Sequence, residues 1–180
     1  MHHASAIPLH DKAARMAKPM DRDLTACPPP VLGDILALLR APGEVCLDEI
    51  TIALQALHVD CEALGAAVFA DAAAYVRTLL YRDARVEMLA LTWLPQQRSP
   101  VHNHGASTCI VRVVSGVAHE NLYRARDDGA ERREYLDRLL HPGLVVRTPG
   151  EHYHSLGNAA HAGGETLVTL HVYSPPLAPR

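Results

Sequence analysis

Trp93-Leu-Pro-Gln-Gln-Arg-Ser-Pro-Val-His-Asn-His-Gly-Ala-Ser-Thr-Cys-Ile-Val-Arg-Val-Val-Ser-Gly116 holds a His-x-His pair, His102 and His104, on a segment opened by Pro100-Val101. Residues two apart on an extended strand point to the same face, about 6–7 Å apart at the backbone. Two imidazoles so placed suit adjacent corners of one metal polyhedron. Taken alone, the pair is more simply read as two surface histidines in a loop. The spacing beyond it narrows the choice: four residues follow His104, then Cys109, then six more, then Gly116.

Outward from this stretch, composition sets bounds. The chain has 180 residues, enough to bury a substantial core. A net charge of −3 with interspersed signs offers no basic stripe for nucleic acid. No apolar run approaches the roughly 20 residues of a membrane span, and no membrane partner is expected. Asp11, Lys12, Arg15, Lys18, Asp21, Arg22 and Asp23 leave no apolar stretch for a secretory leader. The four cysteines, Cys27, Cys46, Cys61 and Cys109, form no CxxC pair, which fits a reducing cytoplasm. A monomer is expected. Aromatics are scarce, so the core must be built from Leu, Val, Ile and Ala.

Residues 1–30 are polar and broken by prolines, and are expected to form a flexible N-terminal segment ahead of one domain over 31–180. Pro30 suits a helix start; Val31, Leu32, Ile35, Leu36, Leu38 and Leu39 recur at helical spacing up to Pro42-Gly43. A second helix is expected from Asp48 to Leu57. A third is expected over Cys61–Ala74, weakened by Gly65. From Tyr75 the period changes to two. Tyr75, Arg77, Leu79 and Tyr81 fall on one face of a first strand. Further strands are expected over Val86–Trp93, His102–His104, Ile110–Ser115, Val117–Tyr123, Leu144–Arg147 and Thr166–Tyr173. Arg124–Glu134 is expected to be a solvated, charged loop. In the last strand Thr169, His171 and Tyr173 alternate with Val168, Leu170 and Val172, giving one polar and one apolar face. A few N-terminal helices followed by seven or eight short strands predict a mainly β fold: an antiparallel barrel or sandwich with the helices packed outside.

A second constellation is Gly143-x5-Pro149-x-Glu151-x2-His154-x3-Asn158. Together with the first stretch it resembles the paired motifs of the cupin superfamily. Gln96 and Glu151 stand where those motifs carry Gly, and Cys109 stands where they carry a carboxylate ligand. His152 rivals His154, but only His154 keeps the His-x3-Asn spacing. The resemblance then narrows. Tyr75-x-Arg77, His102-x-His104-x4-Cys109 and Thr169-x-His171-x-Tyr173-Ser174-Pro175-Pro176 are similar to the cysteine dioxygenase family over roughly residues 45–177.

The resemblance implies a single cupin-type, jelly-roll-like antiparallel β-barrel. It implies Fe(II) on His102, His104 and His154, and a small thiol substrate, L-cysteine favoured, oxidised with O2 to the sulfinate. It implies that Arg77, with Tyr75, binds the substrate carboxylate, and that Tyr173, His171 and Thr169 form the active-site hydroxyl–imidazole–phenol set. Thr169 replaces the family's Ser. Cys109 and Tyr173 match the pair that becomes a thioether in some members; many bacterial relatives carry Gly at the Cys position. Two extra residues fall between Asn158 and Thr169, in the loop Ala160–Glu165. A 3-mercaptopropionate dioxygenase would use the same triad but carry Gln at Arg77. A non-catalytic metal-binding cupin or sensor would need neither Arg77 nor Tyr173.

Overall fold

The structure is a computed structural model that describes residues 18–124 and 133–178. Strands dominate: β1 (Met20–Asp23), β2 (Val76–Arg82), β3 (Glu87–Trp93), β4 (Thr108–Ser115), β5 (Ala118–Arg124), β6 (Arg133–Leu140), β7 (Val145–Thr148), β8 (Tyr153–Asn158) and β9 (Leu167–Ser174). Three helices precede β2: α1 (Gly33–Arg40), α2 (Leu47–Ala56) and α3 (Cys61–Leu64). The strands form a six-stranded sheet, β1-β2-β3-β9-β4-β7, and a three-stranded sheet, β6-β5-β8. The expected barrel is therefore not closed by hydrogen bonds among the described residues. No helix among these residues is long and apolar enough to cross a membrane.

Alternation explains the layering. On β3, β4 and β9, Met88, Ala90, Ile110, Val114, Val168, Leu170 and Val172 pack outward against Leu32, Ile35, Leu39, Ile50 and Leu54 of the helical layer. The intervening residues, Leu89, Leu91, Trp93, Cys109, Val111, Leu167 and Tyr173, face inward to a second core shared with Leu156 of β8. Strands covered on both faces are buried throughout, as β3 is. Each fully buried Leu or Ile contributes about 1.5–3 kcal/mol.

Two arginines fasten the helices to the sheet. The last carbonyls of a helix lack intrahelical donors. Arg112 of β4 donates to Leu54 O at 2.5 Å and Leu57 O at 2.7 Å at the end of α2. Arg85, in the β2–β3 turn, donates to Leu39 O in the last turn of α1 and to Ala41 O and Gly43 O just beyond it. Asp83 holds Arg85 in that pose, accepting from its Nη2 at 2.6 Å.

Several expectations are corrected. Residues 1–17 lie outside the description; within the expected N-terminal segment, Met20–Asp23 forms a strand that pairs parallel with β2, Asp21 opposite Arg77. The third helix stops at Leu64, because Gly65 adopts φ +49° and the chain continues as a single 3-10 turn over Gly65–Ala67. A β-bulge between Leu79 and Tyr81 rotates Tyr81 off the face it would share with Arg77, and Tyr81 packs against the helical core instead. His102–His104 is a loop, in which only His102 bridges, to His154. Of the expected charged loop, residues 125–132 lie outside the description, and Arg133–Glu134 already belong to β6. β6 and β8 have no counterpart among the expected strands.

Candidate metal centre

The loop between β3 and β4 delivers His102 and His104, and β8 delivers His154. Local sequence sets the loop's entry. Leu94-Pro95-Gln96-Gln97 is a turn closed by Gln97 N–H to Leu94 O at 3.1 Å, with Pro95 at its second position. Gln96 takes φ +68°, the one positive φ of a non-glycine among the described residues. At the position where the cupin motif carries Gly, Gln96 thus takes a left-handed conformation that favours Gly, at a cost of roughly 1–2 kcal/mol. The loop is then laced to β8: His102 N–H donates to His154 O at 2.9 Å, and His154 N–H donates to His102 O at 2.8 Å. His104 N–H donates to Gly150 O at 2.8 Å. Gly150 has to be Gly, because a Cβ there would sit 2.6 Å from Ser107 O. Gly150 therefore supplies the close approach one residue before the motif position occupied by Glu151.

The three side chains converge. One nitrogen from each of His102, His104 and His154 lies within 4.8 Å of the other two. His102 Nε2 is 3.1 Å from His104 Nε2, and His154 Nε2 is 3.4 Å from it. Second nitrogens fix the tautomers: His102 Nδ1–H donates to Pro100 O at 2.8 Å, and His154 Nδ1–H donates to Glu120 Oε1 at 2.9 Å. Two Nε2 lone pairs therefore aim at His104 Nε2, and a single N–H there could answer only one of them. A cation answers all three. Ligand nitrogens at about 2.1 Å from a metal lie about 3.0 Å apart at right angles and about 3.4 Å apart at the tetrahedral angle, so the separations of His102 and His154 from His104 match those of neighbouring ligands on a first-row divalent ion. His152 is exposed in the turn and takes no part.

Glu120 and Arg138 were not singled out from the sequence. Glu120, 1% exposed, accepts from His154 with one oxygen and from Arg138 with the other, at 2.7 Å from Nη2. Burial pushes its carboxyl up, but the bonds from His154 and Arg138 outweigh it and hold the pKa below the ordinary value. A carboxylate behind a ligating imidazole fixes its orientation and raises its basicity. The signal lay in alternation: Ala118, Glu120 and Leu122 share one face of β5, and an acid between two apolar inward residues needs a partner.

On the opposite wall, β9 presents Thr169, His171 and Tyr173, all buried. Trp93 Nε1–H donates to Thr169 Oγ1 at 3.1 Å. Thr169 Oγ1 lies 2.9 Å from His171 Nε2, and His171 Nδ1 lies 3.1 Å from the Tyr173 hydroxyl. An indole can only donate. The Thr169 hydroxyl proton has His171 Nε2 as its acceptor, so the ring hydrogen sits on Nδ1 and donates to the Tyr173 oxygen. The Tyr173 hydroxyl also shares a hydrogen bond with the Cys109 thiol, and the Tyr173 ring meets His104 edge-on at 5.0 Å. Burial drops His171 well below its ordinary pKa, keeping it neutral. Burial, with Cys109 beside it, raises Tyr173 well above its own, so the phenol keeps its proton. Cys109 sits directly across the β4–β9 ladder from Tyr173, 3.8 Å from His171 Nδ1, and burial raises its thiol pKa. Cys109 is outside the histidine cluster.

Tyr75 stacks on Trp93 at 4.0 Å, and Arg77, its side chain 12% exposed, lies 3.7 Å by Nε from Asp21. Tyr75, Arg77, the three histidines, His171 and Tyr173 all line one small cavity. The sequence-derived site residues are thus brought together, with Thr169 and Cys109 directly behind.

Two packed sheets around a loop-borne His-x-His and a third strand-borne His define a cupin. Two solved structures share the fold: a protein from Bacillus halodurans (15% identical, TM-score 0.51, covering 78% of this chain and 86% of that one) and a double-stranded β-helix protein from Klebsiella pneumoniae (16%, TM-score 0.50, 68% and 99%). The chain belongs to the cysteine dioxygenase type I family, whose model matches residues 28–179. Among curated relatives, human cysteine dioxygenase type 1 is 25% identical over 157 residues, covering 83% of this chain and 76% of that protein. The bovine protein is 24% identical over 155 residues, with the same coverages.

Proposed function

We propose that this cupin thiol dioxygenase is an Fe(II) enzyme that converts L-cysteine to cysteine sulfinic acid. The observation that carries the proposal is the cavity in which a guanidinium and a three-histidine cluster face one small space. The histidines would hold iron, which when bound supplies the redox chemistry that places both oxygen atoms of O2 on sulfur. Three neutral imidazoles leave the ion's charge uncompensated, which favours an anionic thiolate as a further ligand. The Arg77 fork matches a carboxylate through two parallel N–H bonds, as a lysine would not. Tyr75, braced on Trp93, shapes the wall beside Arg77. Tyr173 brings its hydroxyl to the cavity wall, its oxygen held by His171 and His171 held by Thr169. Leu91, Trp93 and Leu156 give the cavity an apolar wall. Cys109, opposite Tyr173 across the β4–β9 ladder, would form a thioether with its ring as one hydrogen leaves each group and O2 takes both to give peroxide. Free cysteines, two of them exposed, suit a reducing cytoplasm.

The test is anaerobic loading with Fe(II), then oxygen uptake against cysteine, cysteamine and 3-mercaptopropionate, with the product identified. Cysteine sulfinate at one O2 per thiol is expected. Preference for 3-mercaptopropionate would overturn the substrate assignment, and iron retained in His154→Ala but lost in His152→Ala would overturn the ligand assignment.

A further inference from the structure

The inner cavity has a neighbour. A larger hollow runs along β1 and β2, lined by Asp21, Arg82, Glu87 and Leu89 among others. Arg77 and Leu177 are the two residues that line both hollows. The guanidinium offered to the substrate carboxylate therefore stands at a boundary, and the apolar half of that boundary is one leucine.

Leu177 is held there by its backbone. Its N–H donates to Glu87 Oε1 at 3.1 Å, and its carbonyl accepts from Arg82 Nη2 at 2.7 Å. Arg82 Nη1 and Glu87 Oε2 are themselves bonded at 2.7 Å. Glu87 is 1% exposed, and a buried carboxylate is tolerated only with partners. Here the partners are Arg82 and the Leu177 amide. The ring of three bonds fixes a segment beyond the end of β9 and presses its side chain against the inner core. None of Glu87, Arg82 or Leu177 takes part in holding the metal or in the Thr169–His171–Tyr173 relay.

We propose that Leu177, fixed by the Glu87–Arg82 clamp, is a specificity-determining partition that closes the carboxylate end of the site and limits the length of the thiol substrate. This rests on the assignment of Arg77 and the histidines under Proposed function. With thiol and carboxylate held at opposite ends, an added methylene has to displace the carboxylate end outward, and Leu177 blocks that path. Shortening Leu177 joins the site to the outer hollow. Discrimination of one methylene in an apolar pocket is worth about 10- to 200-fold.

The experiment compares cysteine with homocysteine in the wild type, Leu177→Ala, Leu177→Met and Arg82→Ala. Two readouts are taken: kcat/KM by oxygen uptake, and affinity of the Fe(II)-loaded protein by anaerobic calorimetry. Leu177→Ala is expected to raise the homocysteine-to-cysteine ratio about tenfold or more in both. Arg82→Ala, which releases one of two anchors, is expected to raise it less, and Leu177→Met to move it under about threefold. Arg82→Ala also serves if Leu177→Ala does not fold. Ratios unmoved in Leu177→Ala and Arg82→Ala, with cysteine oxidised normally, overturn the partition and leave the proposed function standing. Shifted affinity ratios without any thiol oxidation uphold the partition and overturn the dioxygenase assignment. A wild type that binds neither thiol overturns both.

Discussion

Replacing Glu120 with Gln isolates the contribution of a charge that never touches the metal. Glu120 Oε1 accepts from His154 Nδ1 at 2.9 Å, and its other oxygen is paired with Arg138. The amide keeps an acceptor for His154 but removes the negative charge that strengthens the bond and the imidazole's basicity. A hydrogen bond to a charged group contributes about 1.5–3 kcal/mol, against about 1 kcal/mol for a neutral one. The loss expected is therefore about 0.5–2 kcal/mol, or roughly 2- to 30-fold in metal affinity at 1.4 kcal/mol per factor of ten. Glu120→Ala removes the acceptor as well and should lose up to about 100-fold. The assay is competition for Fe(II) or Zn(II) against a coloured chelator without oxygen. A parallel measurement is the rise in Tm on metal loading, which should shrink by about 1–8 °C in Glu120→Gln. Comparing loaded with metal-free protein separates this effect from any general destabilisation. An affinity within twofold of the wild type, or Gln binding metal more weakly than Ala, would refute the proposed role of Glu120 behind His154.

Arg77→Ala should raise KM for cysteine about 10- to 150-fold and leave cysteamine, which has no carboxylate, nearly unchanged; equal losses on both would make Arg77 structural. Turnover with iron, oxygen and cysteine should lighten a fraction of the chains by two hydrogen atoms, through the Cys109–Tyr173 thioether. That mass change should be absent from Cys109→Ser, whose rate falls less than that of Tyr173→Phe. Cys109 that remains fully alkylatable after turnover and denaturation would rule the bond out. Gln96→Gly should stabilise by about 0.5 kcal/mol, since relief of the positive φ exceeds the added chain entropy; a lower Tm would mean the Gln96 side chain contributes more than the strain costs. Asp83 gives a pH signature. Burial raises its pKa, but bonds from Arg85, Val86 and Tyr81 prevail and lower it from 3.8 to about 2. The shift corresponds to at most about 2.4 kcal/mol, and screening of these partly exposed groups reduces that to about 1 kcal/mol. Because the folded pKa is the lower one, this stabilisation is present above pH 3.8 and is lost as pH falls towards 2. Asp83→Asn should lower Tm by about 3 °C at pH 7, with the gap from wild type closing below pH 4; a gap constant with pH would refute the assignment.

The change of period at Tyr75 announced the turn from helices to strands, because a pleated strand and a helix bury alternating and 3.6-spaced residues respectively. The spacing of His102, His104 and His154, and the alternation of Thr169, His171 and Tyr173, were equally legible. A motif is a local constraint on the backbone, and the positive φ of Gln96, where the motif carries Gly, fits such a constraint. Non-local partners were not legible. Glu120 reaches His154 from 34 positions away, Glu87 reaches Leu177 from 90, and Arg112 reaches the end of α2 from 58. In sequence each of these is an ordinary charge on a strand, expected in solvent. Only the register of β5 on β8 and of β3 on β9 decides which charges are buried and therefore must be paired. The bulge that removed Tyr81 from the Arg77 face, and the parallel strand β1 that brought Asp21 to Arg77, are register effects of the same kind. Sequence patterns determined the faces and the metal-binding residue types, because those depend on neighbours a few residues away. Tertiary structure decided the buried charges, because desolvation is imposed by whatever chain happens to pack on top.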